Sequence, residues 1–375
     1  MIYMDNAAST RPYDEAVDAF TEVSRSYYFN TASIHSEGRK AEKLLGASRR
    51  QILDLMDLGD YECVFTSGAT ESNNIAIQGV LETKKQFGRT VLLSEMEHPS
   101  VINVAEKMKH KGFNVEYIKT TESGIVDLDS LKYLLGNDVI FVTVMAVNNV
   151  TGSVQPVSEI VEILKSYPKV YFHVDATQAV GKVRMDYSGV DSLSLSAHKF
   201  HGVKGAGALI VKEVKSMSPI TFGGGHEFNV RSGTVNLAAI AAMAKALRMS
   251  MESLEENRLR ISRYNKSIRE AVSKLPSVQV QPGGVPQIIN VSYIGARGEI
   301  VVNALSQREI MVSTTSACAS KLSSLNETLM AMNNSPDVVK GSIRISMGHF
   351  TNDQEADKLV SALNSVYKEI GGVLK

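Results

Sequence analysis

Between Tyr61 and Lys212, short runs of β-branched and aromatic residues alternate with segments patterned as helices. The runs 62–66, 90–94, 115–118, 139–145, 170–174, 193–196 and 208–211 read as strands. Strands separated by helices specify an α/β fold: a mainly parallel sheet with both faces covered. The run 139–147 is almost continuously apolar yet short for a helix, so it is expected to be a central strand with the core around it.

The pattern changes at Leu237. An Ala-rich apolar opening passes into a stretch where charged and apolar residues recur at helical spacing, which predicts one long helix over 237–274 leading out of the first unit. Beyond the turn at Pro282-Gly283-Gly284, a strand at 287–293, a helix at 298–307, a strand at 342–346 and a closing helix from about Asp353 predict a second, smaller α+β unit. The small-residue stretch 313–324 reads as a loop, and it carries Cys318.

Composition narrows the function. The 375 residues hold 40 Lys+Arg against 40 Asp+Glu, with 43% hydrophobic and 21% charged residues, a globular balance with no net field to attract polyanions. Small-molecule chemistry is therefore expected ahead of nucleic-acid or membrane binding. The opening MIYMDNAAST has no apolar run of the signal-peptide kind, and the stretches 139–147 and 237–247 fall short of the ~20 residues that span a bilayer. The 2 cysteines cannot build a disulfide framework and read as free thiols. A cytoplasmic protein is expected.

In open α/β sheets, ligands gather beyond the carboxyl ends of the strands, and several chemistry-bearing residues fall there. Thr66 to Thr70, a small-residue turn feeding a helix, suits a phosphate through free N–H groups and the helix dipole, or is an ordinary glycine turn with Thr70 as cap. His98, just ahead of Pro99, can stack on a ring or move a proton, or simply cap a helix. Asp175 ends the strand VYFHVD and, if desolvated, needs a cation; a turn-capping role is the alternative. Gln178 follows in a possible helical turn.

Lys199 sits between the strand LSLS and a glycine-punctuated loop, surroundings that depress an amine pKa and favour Schiff-base chemistry, unless it is an exposed loop lysine. A Schiff-base lysine together with a carboxylate for a pyridinium nitrogen points to pyridoxal 5'-phosphate. In Ser342-Ile343-Arg344-Ile345-Ser346, period-two alternation sends the isoleucines one way and Arg344 with its serines the other. Arg344 can grip a substrate carboxylate through two parallel hydrogen bonds or form a structural ion pair. Cys63 alternates with Tyr61 and Phe65 on an apolar strand face and reads as packed, whereas Cys318, among Ser, Thr and Ala, is either a thiol able to enter a site or an inert one.

Taken in order, these motifs resemble the cysteine desulfurases of the NifS and IscS type, in the class V aminotransferase branch of fold-type I pyridoxal-phosphate enzymes. The match runs nearly end to end through Asp5-Asn6-Ala7-Ala8, FTSGATESNN (65–74), Glu97-His98, Val147-Asn148-Asn149, HVDATQAVGK (173–182), SLSAHKFHGVKGAGAL (194–209), RSGT (231–234), VSTTSAC (312–318) and SIRIS (342–346). The resemblance implies a large cofactor-binding domain over 15–255 and a small domain formed by 1–14 with 256–375. It implies Lys199 as the Schiff-base lysine, Asp175 on the ring nitrogen, His98 on the ring face and Gln178 on the ring oxygen. Ala69, Thr70, Ser196 and His198 would hold the phosphate, with Thr234 reaching it from the other subunit of a homodimer. Asn148 would contact cofactor and substrate, Arg344 and Asn30 the substrate, and Cys318 would be the nucleophile, with His98 assisting proton transfer.

The implied activity converts L-cysteine to L-alanine and leaves a persulfide on Cys318, for a sulfur-acceptor protein of iron–sulfur cluster assembly or tRNA thiolation. A selenocysteine lyase, a class V aminotransferase, or a non-catalytic partner subunit that keeps the fold are the alternatives. The chain departs from the family pattern at Asn148-Asn149-Val150 for NNE, Gly223-Gly224-Gly225-His226-Glu227 for GGGQE, and Asn30-Thr31-Ala32-Ser33 for NPSS. No second cysteine near Cys318 supplies a resolving thiol.

Overall fold

A computed structural model describes residues 1–315 and 325–371. In chain order the strands are β1 (Ile2–Tyr3), β2 (Glu62–Thr66), β3 (Thr90–Ser94), β4 (Asn114–Ile118), β5 (Val139–Thr143), β6 (Tyr171–Asp175), β7 (Ser192–Ser196), β8 (Gly207–Val211), β9 (Val278–Val280), β10 (Ile288–Tyr293), β11 (Ile310–Met311), β12 (Ser313–Thr314) and β13 (Ser342–Ser346). The α-helices are α1 (Asp14–Ser26), α2 (Ser36–Leu55), α3 (Ala69–Lys84), α4 (Pro99–Lys109), α5 (Leu128–Leu134), α6 (Val157–Leu164), α7 (Leu237–Glu252), α8 (Leu254–Val272), α9 (Gly298–Ser306), α10 (Glu327–Ala331), α11 (Pro336–Lys340) and α12 (Asp353–Glu369).

The expected α/β architecture is present. The largest sheet has seven strands in the order β2-β8-β7-β6-β5-β3-β4, parallel throughout except for β8, which runs against both of its neighbours. Period-two alternation assigns its faces. Leu92, Phe172, Leu193, Leu195 and Ile210 pack in one core with α2 and α7, while Val91, Leu93, Phe141, Leu209 and Val211 pack in another with α3 and α4. Every residue of β5 is buried, as its unbroken apolar run requires. Cys63 shares the first core with Tyr61 and Phe65, and burial raises its thiol pKa to about 12.

A smaller antiparallel sheet, β12-β13-β10-β9, packs its apolar face on α8, α9 and α12. The N-terminal segment belongs to this half: β1 pairs with β11, and Asp5 bridges to Ser346. The single helix expected over 237–274 is instead two. The break lies at Ser253, whose backbone (φ −94°, ψ 5°) leaves the helical range while its Oγ bonds back to Met249 O, a contact that bends helices, and accepts from Asn257 Nδ2. No helix among the described residues is long and apolar enough to cross a membrane.

Where the turn after β2 meets β8, the backbones approach so closely that a Cβ on Gly207 would lie 2.5 Å from Gly68 Cα and 2.6 Å from Leu195 O. Neither obstacle is a flexible side chain. Gly207→Ala should displace this turn and destabilise the protein by about 1–3 kcal/mol, read as a lower urea midpoint than that of the parent.

Candidate active site

The carboxyl ends of β2, β3, β6 and β7 open on one edge of the large sheet, and β13 of the small sheet faces them across a cavity of about 980 Å³. Its walls include Ala69 and Thr70 after β2, His98 after β3, Asp175 and Gln178 from β6 and its following turn, Ser196, His198 and Lys199 after β7, and Arg344 from β13. The strand-end rule thus brings most of the expected residues into one space.

Asp175 is 5% exposed, and no cation pairs with it among the described residues. Its carboxylate accepts from Asn73 Nδ2 at 2.9 Å and from the Thr177 N–H at 3.0 Å. Asn73, fully buried on α3, is a hub. Its Nδ2 also donates to Ser100 Oγ at 2.9 Å, and its Oδ1 lies 3.0 Å from His173 Nε2. An amide oxygen only accepts, so His173 carries its hydrogen on Nε2, and burial holds its pKa down at about 4. Ser100 passes the order on: its hydroxyl lies 2.8 Å from His98 Nδ1, which also accepts the Ser100 N–H. His98 therefore caps α4 and lines the cavity at once, with Pro99 at the first helical position as expected. Burial lowers the His98 pKa against the opposing pull of Asp175, which keeps the ring neutral with its hydrogen on Nε2.

Lys199 lies in a 3₁₀ turn directly after β7, and its Nζ donates to Ala7 O at 2.7 Å and Ala8 O at 2.8 Å. Gln178 Nε2 donates to the same Ala7 carbonyl at 2.8 Å. The expected helical turn at Gln178 is a hydrogen-bonded turn, closed by Ala179 and Val180 N–H groups on Ala176 O. At the other end of the cavity, the first turn of α3 presents N–H groups without intrahelical partners beside Thr70, Ser196 and His198. Burial, with Lys199, Lys204 and Lys182 nearby, lowers the His198 pKa to about 4, so that ring hydrogen-bonds as a neutral group.

Arg344 makes the structural ion pair weighed from the sequence while also lining the cavity. Its Nη2 donates to Asp5 Oδ1 at 2.8 Å and its Nη1 to Asn149 O at 3.0 Å, and its buried Nε has no partner among the described residues. Glu97 is buried in the same wall. Its Oε1 accepts from Ser94 Oγ at 2.7 Å and the Met145 N–H at 2.6 Å, whereas Oε2 is buried without a partner among the described residues. Burial, reinforced by Asp175, pushes its pKa up to about 8.

The model of the aminotransferase class-V family matches residues 2–359. Over 380 residues the chain is 38% identical to a NifS/IcsS protein homolog of Lactobacillus delbrueckii subsp. bulgaricus, covering 100% of this chain and 99% of that one. It is 35% identical over 376 residues to cysteine desulfurase IscS 1 of Archaeoglobus fulgidus, covering 99% and 98%. The chain belongs to the class-V aminotransferase family, in its NifS/IscS cysteine desulfurase branch. Among solved structures, a NifS-like protein superposes with a TM-score of 0.92 at 30% identity, covering 98% of this chain and 99% of that one. SspA in complex with cysteine superposes with a TM-score of 0.82 at 26% identity, covering 92% and 99%.

Enzymes of this family generally depend on pyridoxal 5'-phosphate, and the residues present suit that group. A buried carboxylate held by two neutral donors and lacking a cation among the described residues matches a protonated ring nitrogen. Thr177 Oγ1, buried without a partner among the described residues, lines the same wall. The α3 terminus with Thr70, Ser196 and His198 offers free N–H groups and polar side chains that suit a phosphate.

Three of the residues named from the sequence lie elsewhere. Asn148 is fully buried behind the wall; its Oδ1 accepts from the Val150 and Thr151 N–H groups and folds the turn that puts Asn149 and Val150 on the cavity. Asn30 is exposed and caps its own turn through Ala32 N–H, and Thr234 is exposed at a separate pocket of about 80 Å³. Cys318 lies outside the described residues. The departures from the desulfurase pattern have local accounts. Val150, where the resemblance implies Glu, packs with Met96, Leu329, Met332 and Val339 in an apolar cluster that seats α10, and His226 Nδ1 accepts the Gly233 N–H at 3.3 Å. Asp5, Asn73, Glu97 and Lys182 are site residues the strand-end reasoning leaves without roles; only the tight motifs DNAA, ESNN, EH and AVGK mark them in the sequence.

Because the Glu97 pKa is raised in the folded chain, the native state holds a proton the unfolded state has lost between about pH 4.5 and 8, and stability drains away across that interval. Glu97→Gln keeps both accepted bonds without the charge. Its melting temperature should equal the parent's at pH 4.5 and exceed it by about 2 °C or more at pH 8.5, in parallel calorimetric scans.

Proposed function

We propose that the chain is a pyridoxal 5'-phosphate-dependent L-cysteine desulfurase that releases L-alanine and leaves the sulfur as a persulfide on Cys318. The observation that carries this reading is the buried Asp175 carboxylate, which no cation pairs among the described residues, in the same cavity as Lys199 and Arg344. When bound, the cofactor supplies an electron sink for charge released at the substrate α-carbon. Lys199 would attach it and would move protons to and from the substrate carbons, with His98 able to assist through its Nε2–H. Asp175, fixed by Asn73 and Thr177, would keep the ring nitrogen protonated, and Gln178 would offer a donor to the ring oxygen.

Ala69, Thr70, Ser196 and His198 would hold the phosphate, and the partner's Thr234 would complete that end in a homodimer, a reading its exposure in one chain supports. Arg344 takes the substrate carboxylate by exchanging its bond to Asp5 for two parallel bonds to the ligand. Asn148 acts on the substrate through the turn that places Asn149. The Cys318 thiolate takes the substrate sulfur: its carbon–sulfur bond breaks, a sulfur–sulfur bond forms, and the β-carbon gains a proton, so cysteine plus thiol becomes alanine plus persulfide without an external oxidant. The sulfur passes to an acceptor protein in the cytoplasm, for iron–sulfur cluster assembly or tRNA thiolation. On the same reading the chain divides near residue 255 into a large domain and a small one completed by residues 1–14.

Protein supplied with the cofactor, L-cysteine and a thiol reductant should release alanine and sulfide in equal amounts. Cys318→Ala should keep the visible absorbance of the lysine–cofactor linkage and lose turnover at least ~100-fold. Unchanged turnover with selenocysteine would instead favour a selenocysteine lyase, a keto acid product an aminotransferase, and no product a non-catalytic subunit. Lys199→Ala should show neither the absorbance nor a borohydride-fixed adduct at that position. Arg344→Lys, which loses the two-pronged grip, should raise KM for cysteine about tenfold or more, measured by initial rates.

A further inference from the structure

Lys182 lies in the turn after β6, is buried at 7% exposure, and pairs with no carboxylate among the described residues. Burial, with Lys199 and Arg344 adding like charge, lowers its pKa to about 7. A buried amine without a counter-ion is costly, and an apolar residue of similar volume would fill the space at less expense to stability. Its surroundings indicate what the amine does there.

The Lys182 Nζ donates to Gln178 Oε1 at 2.9 Å, Gln178 Nε2 donates to Ala7 O at 2.8 Å, and the same carbonyl accepts Lys199 Nζ at 2.7 Å. A backbone carbonyl can only accept, and an amine has hydrogens to give in either protonation state. The Gln178 carboxamide is thereby fixed from both ends, oxygen toward Lys182 and nitrogen toward Ala7. One Nε2 hydrogen is committed to Ala7, and Gln178 lines the cavity. Lys182 is itself anchored through its backbone, donating to Ala179 O and accepting from Gln287 Nε2 at 3.3 Å.

We propose that Lys182 is a positioning residue that locks the Gln178 carboxamide, so that its remaining N–H, and not its oxygen, meets the ligand in the cavity. Any ligand seated there must then present a hydrogen-bond acceptor to Gln178. On the cofactor reading above, on which this inference rests, that acceptor is the ring oxygen, and the donated bond favours the deprotonated form of the neighbouring lysine–cofactor linkage.

The test is a spectroscopic pH titration of that linkage in cofactor-loaded parent, Lys182→Met, Lys182→Arg, Gln178→Ala and the Lys182→Met/Gln178→Ala double variant. Lys182→Met should raise the apparent pKa of the visible band by about one unit and weaken cofactor retention about tenfold, as Gln178→Ala does. Lys182→Arg should restore the parent titration. The double variant should shift no further than Gln178→Ala alone, because the lysine acts through the glutamine. The other charged or titratable groups beside Lys182, namely Lys199, Arg344, His198 and His201, are common to every variant. A shift in the double variant equal to the sum of the two singles would overturn the proposal by showing that Lys182 works through its field. A Lys182→Met titration like the parent's would also overturn it. The cofactor-free Lys182→Met protein should melt no lower than the parent; Lys182→Leu replaces it if it does. A parent chain with no visible band would overturn the cofactor reading and this inference together, whereas a parent band with an unchanged variant overturns this inference alone.

Discussion

The burial of one carboxylate organises the active site. Asp175 ends a strand buried along its whole length, and a charge placed there must be held by hydrogen bonds or neutralised. Two neutral donors hold it, and one of them, Asn73, spends its remaining bonds on Ser100 and His173. The orientation of His98, the tautomer of His173 and the direction of Asp175 are therefore fixed by a single carboxamide. A side chain that ties three polar groups in a dry interior leaves each little rotational freedom, which is the pre-organisation a positioned cofactor ring requires.

The other charges of the cavity are handled in different ways. Arg344 is paired with Asp5, Lys182 is left with a glutamine oxygen, and Glu97 gives one oxygen to two donors while burial favours its protonated form. The N-terminal segment takes part in most of these arrangements. Its Ala7 and Ala8 carbonyls receive Lys199, Ala7 also receives Gln178, and Asp5 holds Arg344. A few residues that pair with the small sheet thus close the cavity of the large one. Whatever moves the small sheet moves the partners of Lys199 and Arg344 together.

Val150 shows how a departure from the family pattern can be absorbed by packing. It lines the cavity yet belongs to an apolar cluster with Met96 and α10, so the wall next to Glu97 is built from hydrophobic contacts where the resemblance implies an acid.

The sequence by itself determined the seven strands of the large sheet and the two longest of the small one, because period-two alternation and apolar continuity are local and a strand end fixes where its next residues emerge; the short β1, β9, β11 and β12, the last at the start of the stretch read as a loop, were set by their tertiary partners. Asp175, Ser196, Lys199, His98 and the 66–70 turn were legible for that reason, and so was Arg344 between its serines. Only the tertiary structure decided which of these groups are paired. The Asp5 contact to Arg344 joins residues 339 apart, and that of Asn73 to Asp175 joins residues 102 apart, so no local pattern carries either one. Burial decided the rest: Asn148 turned into the wall to satisfy a turn, and the Lys182 amine donates to a glutamine oxygen in place of water. Hydrogen-bond demand in a dry interior depends on what the whole chain brings there, which a periodic pattern along the sequence does not encode.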